Sequence, residues 1–324
     1  MLRPLDQTVP KVPEFAAVQR RQFVSRSVAA LAAAGLSQVP KPYEVSAMDP
    51  IQRQGPTRTR LSLAAYSFRR FFGYVRDKPQ SAPEGRQPWS MMDFIDYCVA
   101  EGFDAAELTA YFFEPNVTDQ RLSDVRRHAF LSGMPISGTA IGNDFTVPED
   151  RLPNQIAETK RWIDRAATLG APHIRIFAGT GRSLRQHPER LPVICAAANE
   201  CGAYAAENGI FLGIENHGDL TIDEMLRILE GIDHPWVGMN VDTGNFFSET
   251  PYDDVARCMP YAVNVQFKSL LTSPGRKKLP VDFERMTGLI RDSGYQGYVA
   301  LEYEEENPLE EVPKLAEKLR NALE

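Results

Sequence analysis

Four stretches decide the fold: Phe211-Leu-Gly-Ile-Glu215, Val237-Gly-Met-Asn-Val-Asp242, Ala262-Val-Asn-Val-Gln266 and Tyr298-Val-Ala-Leu-Glu302. Each is a short, mainly apolar run that ends in a carboxylate or an amide. A short apolar run bounded by turn signals reads as a buried strand, and a helical pattern follows each of the first three. The four end residues are spaced by 27, 24 and 36 positions, about one strand–helix unit each. A carboxylate left inside an apolar core is costly. At the C-terminal ends of parallel barrel strands, however, such groups converge on one open face where charge can be used. Three carboxylates and an amide on one mouth repel one another unless a cation sits between them. Glu215, Asp242, Gln266 and Glu302 are therefore the expected ligands of one divalent metal ion per chain. Oxygen ligands of this kind suit Mn²⁺ or Mg²⁺ best, with Co²⁺ or Zn²⁺ as further options.

Working outward, four more strands precede these, over 60–67, 105–109, 136–141 and 173–177. Helical patterns alternate with all eight, over 89–100, 118–131, 154–169, 190–208, 222–229, 253–261, 282–292 and 309–323. Gly102, Gly170 and Gly209 act as stop signals and Thr221 as an N-cap. Alternation of this kind predicts parallel βαβ units, and eight strands is the number that closes a barrel. The expected fold is α/β, a (β/α)₈ TIM barrel over residues 59–324 with an N-terminal extension over 1–58. A doubly wound open sheet would show a glycine-rich phosphate turn after the first strand; here Ser67-Phe-Arg-Arg-Phe-Phe72 follows it.

The 324 residues are 43% hydrophobic, enough for one large barrel, and the net charge of −7 argues against nucleic-acid binding. No run of 18 apolar residues predicts a membrane span. Cys98, Cys195, Cys201 and Cys258 lack metal-finger spacing and read as small buried residues. In the extension, Gln19-Arg-Arg-Gln-Phe-Val-Ser-Arg26 and the weakly apolar 27–36 stretch resemble a twin-arginine export signal. That reading implies a periplasmic or otherwise exported protein, against a cytoplasmic one if the segment is a basic helix and linker.

The segments Ile214-Glu-Asn-His217, Asn240-Val-Asp-Thr-Gly-Asn245, Val265-Gln-Phe-Lys268 and Leu301-Glu-Tyr303 resemble the xylose-isomerase-like TIM barrels, often grouped as sugar phosphate isomerases and epimerases. The resemblance covers about residues 60–320. It implies a divalent metal on Glu215, Asp242, the strand-seven residue and Glu302, a sugar or polyol substrate, and a homodimer or tetramer. Many members carry His at strand seven, in a His-x-Lys sequence; this chain has Gln266-Phe-Lys268, as similar dehydroshikimate dehydratases do. Many epimerases also have His three residues after the strand-six Asp, where this chain has Asn245.

Other residues fall at the same mouth. His217 could pass a proton to a substrate oxygen or carbon, or simply bond backbone. Lys268 could steady an oxyanion or be a solvated loop lysine. Glu107, Tyr66, Asn143, Asn245 and Arg175 are the expected substrate-binding set. Ion pairing accounts equally for Glu107, and turn chemistry for Asn143 and Asp144. For Arg175, structural pairing is the stronger reading. The expected activity is a metal-dependent isomerase or epimerase with Glu215 or Glu302 as the proton acceptor. A lyase or dehydratase, or a non-catalytic carbohydrate-binding barrel, are the alternatives. An endonuclease on the same fold would want more than five histidines and a basic surface.

Overall fold

The computed structural model describes residues 48–324. Eight parallel strands form one closed barrel: β1 (Arg58–Ala64), β2 (Ala105–Thr109), β3 (Ile136–Ala140), β4 (His173–Ile176), β5 (Phe211–Glu215), β6 (Val237–Asp242), β7 (Ala262–Phe267) and β8 (Gln296–Leu301). Each strand pairs with its sequence neighbours, and β8 closes on β1 with Leu61 opposite Val299. Between them run α1 (Met91–Ala100), α2 (Asp119–Leu131), α3 (Leu152–Leu169), α4 (Leu191–Glu207), α5 (Ile222–Glu230), α6 (Pro251–Cys258) and α7 (Phe283–Asp292), and α8 (Pro308–Leu323) closes the chain. The (β/α)₈ expectation holds. The twin-arginine reading falls on residues outside the described ones. Among the described residues, no helix is long and apolar enough to cross a membrane. All four cysteines are buried and free.

The strands place their apolar residues outward. Leu63, Leu108, Ile174, Ile176, Leu212, Ile214, Met239, Val241, Val265 and Val299 are buried against the helix layer. Because side chains alternate across a strand, the residues between them point into the lumen. There the chain carries Ser62, Glu107, His173, Arg175, Asn240, Asn264 and Gln266, all at most 5% exposed. The barrel interior is therefore a polar, hydrogen-bonded core rather than stacked aliphatic layers. It also has glycines where space is short, since a Cβ at Gly138 would stand 2.8 Å from His173 Nδ1.

Two features differ from the sequence expectation. β1 stops at Ala64, and Tyr66 lies in the 3₁₀ turn Ala65–Phe68 that follows it. The stretches after β1 and β7 each fold a small antiparallel hairpin, Tyr74–Val75 with Lys78–Pro79 and Leu270–Thr272 with Lys278–Pro280. Strands this short carry no readable periodicity.

Candidate active site

The four expected ligands do come from the C-terminal ends of consecutive strands. Glu215 and Asp242 are the last residues of β5 and β6, Gln266 is next to last in β7, and Glu302 directly follows β8. Sheet register sets Asp242 opposite Gln266 and Gln266 opposite Ala300. The ends of β5 and β6 are clipped together by Asn216, whose amide donates to the Asp242 carbonyl (2.8 Å) and accepts from the Asp242 backbone N–H (2.9 Å).

Each carboxylate has a defined set of partners. One oxygen of Glu215 faces Arg175 Nε at 2.8 Å; the other takes His217 Nδ1 at 3.0 Å and Asn245 Nδ2 at 3.1 Å. Asp242 accepts from Asn245 Nδ2 (2.8 Å) and from the Gly244 backbone N–H (2.8 Å). Lys268, just past β7, puts its ammonium 3.1 Å from Asp242, 3.2 Å from Glu302 and 3.0 Å from Glu304. Arg175 also donates to the Ile141 carbonyl (2.6 Å) and the Tyr111 hydroxyl (3.2 Å), with its guanidinium 4.1 Å from the centre of the Phe177 ring.

Burial opposes ionisation of Glu215, yet Arg175, His217 and Lys268 outweigh it and bring its carboxyl down to about 2. Burial pushes Asp242 well up, countered by Lys268 and reinforced by Glu215 and Glu302. Glu302 moves up for the same kind of reason, with burial the largest cause, Lys268 opposing it and Glu304 adding to it. Burial would lower Lys268, but Asp242, Glu302 and Glu304 hold its ammonium well above the usual lysine value. The physical content is an electrostatic imbalance. With all four carboxylates (Glu215, Asp242, Glu302, Glu304) ionised, the two cations (Arg175, Lys268) would leave two negative charges over, the balance a divalent ion would supply; burial and this mutual repulsion push Asp242 and Glu302 upward.

Gln266 and Glu107 belong to the layer below. The Gln266 amide donates to Glu107 at 2.8 Å, and its carbonyl oxygen accepts from Asn240 Nδ2 at 2.8 Å. Asn264 Nδ2 donates to both Glu107 (3.0 Å) and Asn240 (2.8 Å), which closes a four-residue ring across the lumen. Glu107 therefore neither lines the mouth nor pairs with an arginine; burial and then Glu302 lift its carboxyl to about 7, against the Gln266 and Asn264 hydrogen bonds. Glu107 fixes which end of the Gln266 amide points away from it, leaving one lone pair of the Gln266 oxygen uncommitted.

The residues fit a divalent cation in donor chemistry and in charge, through three carboxylates and one amide oxygen. As the side chains stand, no three His, Cys, Asp or Glu groups among the described residues are gathered closely enough to hold one; the Lys268 ammonium separates two of them.

Above this layer opens a cavity of about 280 Å³, whose walls include Tyr66, Arg175, Glu215, His217, Asn245, Lys268 and Glu302. Of the expected substrate-binding set, Tyr66, Asn245 and Arg175 thus reach the mouth. Asn143 lies beside it, its amide spent on the Phe177 backbone as donor (2.7 Å) and acceptor (2.8 Å). It lines a neighbouring cavity of about 480 Å³ that shares Arg76 and Tyr111 with the first. Sequence reasoning missed Arg76, Tyr111, Phe177 and Glu304. Tyr111 follows the β2 end closely enough to have been a candidate, whereas Arg76 arrives on a hairpin no pattern announced. The His217 ring is half-exposed and lies tilted by 33° against Phe177 with centroids 4.3 Å apart. The loop Gly179-Thr-Gly-Arg182 opens a six-residue helix, Gly181–Gln186, and the Gly181 amide is taken by Asp219.

A family model described as xylose isomerase-like TIM barrel matches residues 95–322. No curated protein matches the chain. Among solved structures, D-psicose 3-epimerase of Clostridium cellulolyticum H10 is 14% identical with a TM-score of 0.64, over 82% of this chain and 99% of that one. A xylose isomerase-like TIM barrel protein of Mycobacterium smegmatis in complex with magnesium is 20% identical, TM-score 0.58, over 83% and 98%. The probable 3-DHS dehydratase of Bacillus anthracis is 16% identical, TM-score 0.55, over 82% and 98%. At such identities the likeness is one of fold.

Proposed function

The chain belongs to the xylose isomerase-like TIM barrel family, and from that premise we propose that it is an enzyme that moves a proton beside the carbonyl of a sugar or keto-sugar, an isomerase or epimerase. The observation that carries this reading is the state of Glu302. It borders the cavity, one of its oxygens contacts Lys268 at 3.2 Å, and the other takes no hydrogen bond among the described residues. Glu215, by contrast, has one oxygen accepting from His217 and Asn245 and the other in ion contact with Arg175 Nε at 2.8 Å. Glu302 is thus the carboxylate free to accept a proton from carbon.

Glu215, Asp242, Gln266 and Glu302 are the residues that would hold a divalent metal. When bound, such an ion supplies Lewis-acid polarisation of a substrate carbonyl next to a hydroxyl. The Lys268 ammonium supplies positive charge to an oxygen that becomes negative as the proton leaves. Arg175 and Asn245 keep Glu215 in one orientation, and His217, held through Nδ1 by Glu215, presents the rest of its ring to the cavity wall.

Glu302→Gln tests the reading. Wild-type protein supplied with Mn²⁺ and a panel of ketoses and 3-keto-glycosides in heavy water should take up deuterium beside the carbonyl of at least one of them. The variant should lose roughly a hundredfold or more of that exchange, the scale of a missing general base. Undiminished exchange in the variant would place the base elsewhere, and a silent wild type across the panel would remove the proton-transfer reading.

The position of His217 favours elimination as a second reading. A half-exposed imidazole beside the mouth can protonate a departing oxygen, turning the same first step into a lyase reaction. Release of an unsaturated product from the deuterated substrate would distinguish the two.

A further inference from the structure

We propose that the Lys268 ammonium is a tethered counter-ion that holds the metal position between Asp242 and Glu302, and that it must swing outward onto Glu304 for a divalent cation to enter. The proposal rests on the metal reading above and adds a competitor built into the chain.

Three observations carry it. The Lys268 side chain is only 6% exposed, and its nitrogen touches three carboxylates at 3.0–3.2 Å. Two of these, Asp242 and Glu302, are expected metal ligands. A divalent ion bound to the same oxygens would stand within a few ångströms of the ammonium, and two cations that close repel strongly in a site of low polarity. An ion that takes those same oxygens therefore competes with the ammonium for them.

The third carboxylate, Glu304, gives the lysine somewhere to go. It lies outside the ligand set, its side chain is 28% exposed, and it already receives the shortest of the three contacts. Rotation of the outer lysine torsions can release Asp242 and Glu302 while Glu304 is kept. Exposure at that end gives the ammonium water in exchange for the contacts it leaves.

The stem is seated for this. The Lys268 backbone N–H donates to Thr243 Oγ1 at 2.9 Å, which fixes where the side chain starts. Its methylenes lie along Gly244, where a Cβ would come within 2.8 Å of Lys268 Cδ and 2.7 Å of the Leu270 carbonyl. Only a bare Cα on the β6 turn lets the lysine pass inward to Asp242. Gly244, two residues after the β6 ligand, is thus shaped around the lysine from the β7 end.

Calorimetric titration of Mn²⁺ into full-length wild-type protein and Lys268→Met decides the matter. Methionine keeps the stem and deletes the charge. The variant should bind Mn²⁺ at least tenfold more tightly than wild type and, without metal, melt at a lower temperature because its carboxylates lose their counter-ion. Equal or weaker Mn²⁺ binding by Lys268→Met beside a wild type that binds one ion overturns the proposal and leaves the metal reading intact. Absence of Mn²⁺ binding by both proteins removes the metal reading and the proposal with it. Glu304→Gln serves if Lys268→Met does not fold. With the outer acceptor neutralised the lysine has no charged partner to retreat to, so Mn²⁺ affinity should fall severalfold, and an unchanged affinity counts against the swing.

Discussion

His173 shows how much one lumen residue can set. It is 5% exposed, neither ring nitrogen has a hydrogen-bond partner among the described residues, and burial, followed by the charge of Arg175, lowers its pKa from 6.5 to about 3. The folded chain therefore keeps this imidazole neutral where the unfolded chain protonates it. Its contribution to stability is complete above pH 6.5 and is lost as the pH falls from there toward 3, at about 1.4 kcal/mol per pH unit. Urea denaturation of wild type and His173→Leu between pH 7 and pH 4 should show the wild type losing ground at that slope; parallel curves would mean the ring does become charged in the folded state. Among single residues, Glu215, Asp242 and Glu302 were legible from sequence because each terminates an apolar run. The pairing of Arg175 with Glu215 was not, since it depends on which residues of β4 and β5 face inward at the same height. Nor was the inward course of Lys268, which requires the glycine across from it.

At the scale of elements, the link from β5 to α5 positions Glu215 and His217 together. It ends in a reciprocal cap: the Thr221 hydroxyl accepts from the Glu224 N–H at 3.2 Å, and the Glu224 carboxylate accepts from the Thr221 N–H at 2.9 Å. Arg185 adds a second hold on Glu224 at 2.7 Å. Thr221→Ala should cost about 1 kcal/mol of stability, read as a lower midpoint in chemical denaturation with an unchanged slope. A midpoint within error of wild type would show that Arg185 and Glu224 suffice to start the helix. Helices and barrel strands were legible because their periods and stop signals agree. The hairpin Leu270–Thr272 with Lys278–Pro280 was not, although it overhangs the mouth, bonding the Thr272 N–H to the Gly244 carbonyl at 3.1 Å. Its pairing depends on the turn it packs against, information that lies some 30 positions away in the chain.

At the scale of the molecule, the barrel separates its tasks by height: charge at the C-terminal mouth, an amide ring beneath it, and His173 among glycines beneath that. The extension before the barrel is read from residues alone, and export through Arg20-Arg21 is a proposal. A reporter fused to residues 1–50 should reach the periplasm, and export that persists when both arginines become lysine would remove it. The floor of the lumen carries one more consequence, for how such a chain can change over time. A methyl group at Gly138 would meet His173 Nδ1, and one at Gly213 would collide with His173 Nε2. The three positions are therefore interlocked. A survey that varies one site at a time will score both glycines as intolerant, while a lineage that first shrinks the histidine removes the closest contact at each and leaves the His173 carbonyl 3.2 Å from a Gly138 methyl and Asn240 Cβ 3.0 Å from a Gly213 methyl to be relieved by a further shift. The order of substitution, and not only their sum, decides which descendants of this barrel are reachable.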